Sequence, residues 1–239
     1  MLKNYITSAV RALLKYKSTT LINLLGLTIG LSATLLISIY VVNESSYDRF
    51  HKNANNIYRI GVEGKMLGND LNMAVTSSLM AGPLNEEFPE VEKVVRILKV
   101  GGQMVTFEDK TYQEDGTNFL YVDSTFFEVF SFKLLQGDPL KVLSDPKSIV
   151  ITQSTARKFF GKENPVGKSF EVNAADNIFT VSGVVEDPPT NSHFHFSYLA
   201  PLYPLPILEQ DGWLSHNFYT YVLLKDGTTQ AHFTTSLEA

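Results

Sequence analysis

The sequence predicts an α+β fold: an amphipathic helix and one membrane-spanning helix at the N-terminus, followed by a mixed α+β domain outside the membrane. Three observations predict it. An uncharged apolar run of 22 residues, LINLLGLTIGLSATLLISIYVV, extends from Leu21 to Val42. All 25 acidic residues lie after that run, whereas 4 of the 20 basic residues lie before it. Beyond residue 43, short β-type runs mingle with short helix signals, without the regular β-α-β order of a parallel sheet. With 239 residues, 44% hydrophobic and 12% aromatic, the chain has enough apolar material for a core.

The first element covers residues 1–17. Ile6, Ala9, Val10, Leu13 and Leu14 recur at helical spacing, with Asn4, Ser8, Arg11 and Lys15 on the other side. The cations Lys3, Arg11, Lys15 and Lys17 suit a basic amphipathic helix lying on the cytoplasmic membrane surface. A solvated start to the membrane helix is the alternative. The second element, residues 18–42, contains the apolar run, which as a helix spans about 33 Å against a hydrocarbon thickness of about 30 Å. It exceeds the roughly 7–15 residues of a signal-peptide core, and no A-x-A-like cleavage site follows. A retained span is therefore expected. The basic cluster before it, and Glu44 and Asp48 after it, place the N-terminus inside and the bulk of the chain outside. Gly26 and Gly30 form a G-x-x-x-G pair, extended by Ala33 or Thr34. Small residues there admit a second helix, and the general frequency of glycine in membrane helices accounts for them equally well.

Residues 43–239 form the outer domain. Strands are expected at Ile57 to Val62, Val91 to Val100, Met104 to Glu108, Phe119 to Val122, Ser148 to Thr152, Ser169 to Val172, Phe179 to Glu186 and Phe218 to Leu224. Ser77 or Ser78 is expected to cap a short helix interrupted by Pro83, and Asp123 one that ends by Phe130. A helix from Ser154 to Phe160 should stop at Gly161, and a last one should begin near Thr228. Pro201 to Gly212 reads as a long loop.

Composition narrows the chemistry. After residue 43, 16 basic residues stand against 25 acidic ones, a formal charge of −9 that gives no footprint for nucleic acid. The absence of cysteine excludes disulfides, a thiolate nucleophile and Cys-ligated zinc. GKENPVGKS at Gly161 to Ser169 approximates a phosphate loop, but five residues separate its glycines where four are needed, and helix precedes strand, the reverse of the required order. A turn is the expected structure. His193 and His195 alternate with Phe194 and Phe196, so on a strand the two imidazoles share a face. A surface pair is the expected reading, because a metal site needs further ligands, for which Asp187 and His216 are the candidates. No G-x-S-x-G elbow is present, and Glu86 with Glu87 and Glu108 with Asp109 read as solvated acids. No catalytic, cofactor-binding or metal-binding residue is assigned.

Seven blocks then carry a family resemblance. They are INLLGLTIGL at Ile22 to Leu31, YDRFHKNANNIYRI at Tyr47 to Ile60, EEFPEVEKVVR at Glu86 to Arg96, FFEVFSFKLLQGDP at Phe126 to Pro139, SIVITQSTARKFFGKENPVGKSF at Ser148 to Phe170, VSGVVEDPPTNSHFHF at Val181 to Phe196 and FYTYVLLK at Phe218 to Lys225. In this order they resemble the ABC-transporter permease subunits of the MacB/FtsX type, which have a MacB-like periplasmic core domain. The resemblance implies a bacterial inner-membrane subunit, homodimeric or paired with a related permease, that works with a separate cytoplasmic ATPase in the export of peptides, lipids, lipoproteins or drugs. It implies no cofactor in this chain, ATP being bound by the partner. It also implies an FtsX-like membrane region of three more helices beyond residue 239, so the chain is expected to be the front part of a longer permease. A single-span sensor or ligand-binding protein is the other class considered.

Overall fold

The computed structural model describes residues 2–66, 69–108, 110–114 and 118–237. Asp109 and the chain ends at 1 and 239 lie outside the described residues. The chain divides into two units, Met1–Tyr47 and Asp48–Ala239.

In the first unit, helix α1 (Leu2–Lys15) and helix α2 (Lys17–Ser45) are separated at Tyr16, whose φ of −104° and ψ of 58° leave the helical region. The break takes the Leu13 carbonyl out of the ladder, and Thr20 Oγ1 donates to it at 2.9 Å. Within the apolar stretch of α2, Thr28 and Thr34 donate to the carbonyls of Leu24 and Gly30 at 2.7 and 2.8 Å, so these two hydroxyls are paired within the helix itself. α2 is long and apolar enough to cross a membrane by length and composition.

The second unit is built in chain order from β1 (Ile57–Ile60), β2 (Val62–Met66), β3 (Asn69–Met73), a 3-10 turn (Ser78–Met80), α3 (Ala81–Glu86), β4 (Val91–Lys99), β5 (Gln103–Phe107), β6 (Lys110–Glu114), β7 (Phe119–Val122), α4 (Phe126–Val129), β8 (Leu134–Gln136), β9 (Ser148–Thr152), α5 (Gln153–Phe160), β10 (Ser169–Val172), β11 (Ala174–Val185), β12 (Tyr198–Pro201), α6 (Ile207–Gln210), β13 (Phe218–Leu224) and α7 (Gln230–Leu237). Among the described residues, eleven strands form one mixed sheet in the order β1-β13-β4-β7-β12-β9-β11-β10-β5-β6, with β8 also on β11, and β2 and β3 form a separate hairpin. β12 runs parallel to β7 and β11 parallel to β9; the other pairs are antiparallel.

Side chains alternate between two cores, as a pleated sheet requires. Val95, Ile97, Leu120, Val122, Val150 and Leu199 meet the phenylalanines of α4 and Phe194 on one face. Leu98, Phe119, Tyr121, Ile149, Ile151 and Tyr198 meet α5 and β10 on the other. Every residue of β7, β9 and β12 is buried, which is why these strands are continuous apolar runs instead of alternating ones. A third cluster joins Ile60, Val94, Val222 and Leu224 to Leu84 of α3 and Phe233 of α7.

The helix ends follow from local chemistry. Thr152 Oγ1 accepts the Thr155 N–H, and Gly161, at φ 61°, ends α5. Pro83 does not interrupt α3, because it falls in the first turn, where a missing N–H costs little. Ser77 caps the preceding turn by accepting the Leu79 N–H at 3.1 Å. Asp123 is not a cap: α4 starts after Thr125 without a side-chain cap, and the Asp123 carboxylate is turned to Arg96. The expected strand from Ile57 to Val62 divides at Gly61 into β1 and β2, and the expected loop from Pro201 to Gly212 contains α6.

β8 reaches β11 at a bulge. The β9 register shifts between Val181 and Gly183, and the intervening Ser182 places Oγ 2.6 Å from the Val142 carbonyl. Here Gly137 (φ 103°) lies so close that a Cβ would stand 2.5 Å from Val142 Cγ1 and 2.9 Å from the Ser182 carbonyl.

Candidate functional site

The segment that begins the folded unit, Asp48 to Lys52, is stitched to two distant parts of the chain. Asp48 has a left-handed φ of 58°. An aspartate tolerates this conformation better than most residues, at a cost of about 1 kcal/mol, when its side chain is hydrogen bonded. The Asp48 N–H donates to the Asn191 carbonyl at 2.9 Å. Its Oδ1 accepts the His193 N–H at 3.1 Å, and its Oδ2 lies 2.6 Å from His193 Nδ1. The other ring nitrogen, Nε2, is 2.9 Å from the Tyr221 hydroxyl on β13. In the tautomer with the proton on Nδ1, that atom donates to Asp48 Oδ2 and Nε2 accepts the tyrosine proton. Burial pushes the Tyr221 hydroxyl up to about 12, against a smaller lowering by Arg59, so it stays a proton donor at neutral pH.

Below this polar chain the same segment is seated in aromatic rings. His51 is 4% exposed and lies 4.0, 5.3 and 5.1 Å from the ring centres of Phe50, Phe130 and Phe132. Its Nδ1 accepts the Ser131 N–H at 3.1 Å, which places the ring proton on Nε2, a buried atom with no hydrogen-bond partner. The Lys52 N–H in turn donates to Ser131 Oγ at 3.0 Å. Burial, outweighing the nearby Asp48 carboxylate, holds the His51 imidazole down to about 4. The unfolded chain therefore binds a proton between about pH 6.5 and 4 that the folded one refuses. Stability is fully present above pH 6.5, falls as the pH drops toward 4, and is level below that, with a total loss of up to about 3 kcal/mol. Urea midpoints measured across this range should show the decline, and His51→Asn, which keeps an acceptor for Ser131 but does not titrate, should flatten it.

Two other polar clusters hold the sheet. Arg96 on β4 grips Asp123 through Nε at 2.9 Å and Nη2 at 2.8 Å and donates Nη1 to the Ser78 carbonyl at 3.1 Å. Glu114, only 8% exposed, lies 3.2 Å from the Tyr198 hydroxyl and 3.3 Å from Lys158 Nζ. Burial, then the Glu114 charge, raises Tyr198 far above its ordinary range.

The histidine pair is not on a strand, yet its alternation holds: Phe194 and Phe196 are 1% and 4% exposed while His193 and His195 face outward. The candidate partners Asp187 and His216 build no metal-ligating group with the pair. Asp187 accepts from Ser154 N and Oγ at the start of α5, at 3.1 and 2.6 Å. Among the described residues no three His, Asp or Glu side chains converge as ligands. Gly161 to Ser169 runs from the end of α5 into β10. Gly26 and Gly30 have nothing within 4 Å of where a Cβ would stand, and Lys3, Arg11, Lys15 and Lys17 are exposed on α1 and the first turn of α2.

The sequence profile of the MacB-like periplasmic core domain matches residues 20–239. The chain belongs to that family. A curated member, the macrolide export ATP-binding/permease protein MacB of Hahella chejuensis, is 27% identical over 185 residues, which are 74% of this chain and 27% of that protein's length. The chain thus spans about a quarter of that relative. A solved domain assigned to a permease protein of Porphyromonas gingivalis superposes with a TM-score of 0.70 at 26% identity, covering 79% of this chain and 81% of the other. The periplasmic region of MacB from Actinobacillus actinomycetemcomitans gives 0.57 at 21% identity, covering 76% and 80%. The extracellular domain of the noncanonic ABC-type transporter YknZ from Gram-positive bacteria gives 0.51 at 15%, covering 75% and 86%, and like the MacB region it speaks to the fold alone. In this MacB-like domain, His51, Arg96 and Tyr221 are residues that sequence reasoning did not single out, and Asp48 and Asp123 were read in other roles. They fall within or beside the blocks that carry the family resemblance, but their pairing joins positions as much as 145 residues apart.

Proposed function

We propose that this chain is the membrane subunit of an ABC transporter, coupling ATP hydrolysis by a separate cytoplasmic subunit to a change of shape in its periplasmic domain. The observation that carries the reading is the extent of the family match, residues 20–239, which takes in most of α2 together with the folded domain. In this reading the N-terminus is cytoplasmic, α2 spans the bacterial inner membrane, and the chain after about residue 43 is periplasmic. α1 rests on the membrane surface with Lys3, Arg11, Lys15 and Lys17 toward lipid phosphates. Gly26 and Gly30 offer a close-packing face to a second copy or a related permease. The chain itself binds no cofactor; the exported cargo is a peptide, lipid, lipoprotein or drug.

The test is to purify the product of the whole reading frame from membranes in mild detergent and reconstitute it. An ABC ATPase should co-purify and its hydrolysis rate should change severalfold on reconstitution with the subunit. A subunit that is intact and membrane-inserted but binds no ATPase overturns the reading.

A further inference from the structure

Ser45 ends α2 and Asp48 begins the folded unit, so Ser46 and Tyr47 alone lie between them. Two residues reach at most about 7 Å, so a displacement of the end of α2 beyond that reach is felt along the chain at Asp48 before any other part of the domain. The contacts Asp48 makes are of a kind that can be exchanged with water: its side chain and that of His193 are 31% and 34% exposed, and their bonds are directional and polar. The contacts of the next residues are not. Phe50 and His51 leave their aromatic seat only by exposing apolar surface. The left-handed backbone at Asp48 adds a local conformation that its partners hold in place and that relaxes when they let go. On the far side His193 reaches Tyr221 in the middle of β13, the strand that pairs with β1 on one side and β4 on the other.

We propose that Asp48, His193 and Tyr221 form a two-position joint, engaged as in this structure and released when α2 tilts, with Phe50 and His51 keeping the segment seated in both positions. The inference rests on the reading of α2 as a membrane span and does not require the ATPase. It makes the joint, and not the domain as a whole, the first element to respond to the membrane helix.

The experiment is hydrogen exchange on the full chain in nanodiscs of dilauroyl- or dioleoyl-phosphatidylcholine, the thinner bilayer forcing a span of this length to tilt. The amides of Asp48 and His193, bonded to the Asn191 carbonyl and the Asp48 carboxylate, report the joint, and the Ser131 amide, bonded to His51, reports the seat. Exchange at Asp48 and His193 should be at least threefold faster in the thin bilayer, with Ser131 unchanged. In Asp48→Asn, which tolerates the same backbone conformation, it should be at least tenfold faster in both bilayers and indifferent to thickness. Exchange that ignores thickness in the natural chain, or Ser131 accelerating in step, overturns the joint. A chain that does not float with the bilayer overturns the membrane reading and the joint with it.

Discussion

Arg96→Ala is expected to destabilise the folded domain by about 4 kcal/mol, the usual scale for removing one partner of a largely buried ion pair. The two side chains are 19% and 17% exposed, so most of their hydration has already been given up. The guanidinium meets both carboxylate oxygens of Asp123, and its remaining arm takes the Ser78 carbonyl. Without it, the carboxylate keeps the Arg96 backbone N–H, at 2.8 Å, as its hydrogen bond across to β4. The 3-10 turn then depends on Asp211, whose Oδ2 accepts the Ser78 N–H at 2.6 Å. Lysine cannot present the planar fork, so Arg96→Lys should recover less than half of the loss. Urea denaturation of Arg96→Ala, Asp123→Asn and the double variant checks this. The double variant should be more stable than the sum of the single losses implies, because no unpaired charge remains. A loss below about 1 kcal/mol in Arg96→Ala would put the pair in the class of exposed ones.

Gly137→Ala is expected to cost about 3 kcal/mol. Its φ of 103° disfavours any L side chain, and the added methyl would meet Val142 Cγ1 and the Ser182 carbonyl inside normal contact distance. Val142 is 2% exposed and packed in the core, so it has little room to give way. Ser182 is held by its own bond to the Val142 carbonyl. The methyl therefore displaces β8 from the bulge on β11. A urea midpoint lowered in proportion, with the slope unchanged, is the expected result; a midpoint within error of the natural chain would mean that the bulge is pliable.

The parts of the fold legible in the sequence are those governed by neighbours in the chain. The uncharged run from Leu21 to Val42, the apolar strand SIVIT and the Gly161 stop each carry their physical cause within a few residues, and α2, β9 and the end of α5 stand where those causes put them. Readings failed where a distant partner competed. Asp123 has the chemistry of a cap, but Arg96 offers a bidentate bond that a helix start cannot match. The loop reading of Pro201 to Gly212 missed α6 because Leu205, Ile207 and Leu208 pack against the second core, a contact no local pattern reports. The two histidines were visible as a pair, yet the partner of His193 is Asp48, and only the folded chain brings them together.

The strand order also constrains the time course of folding. β1 pairs with β13, with Ile57 opposite Leu223. At a synthesis rate of about 5–20 residues per second, the partner of the first strand follows it by roughly 10–30 s. For that interval β1 and one edge of β4 stand as open strand edges, able to pair with another chain. A fold of such long-range pairing is slow to complete. Biogenesis of this protein is therefore most exposed to misassembly late, before the residues from Phe218 to Leu224 have been delivered.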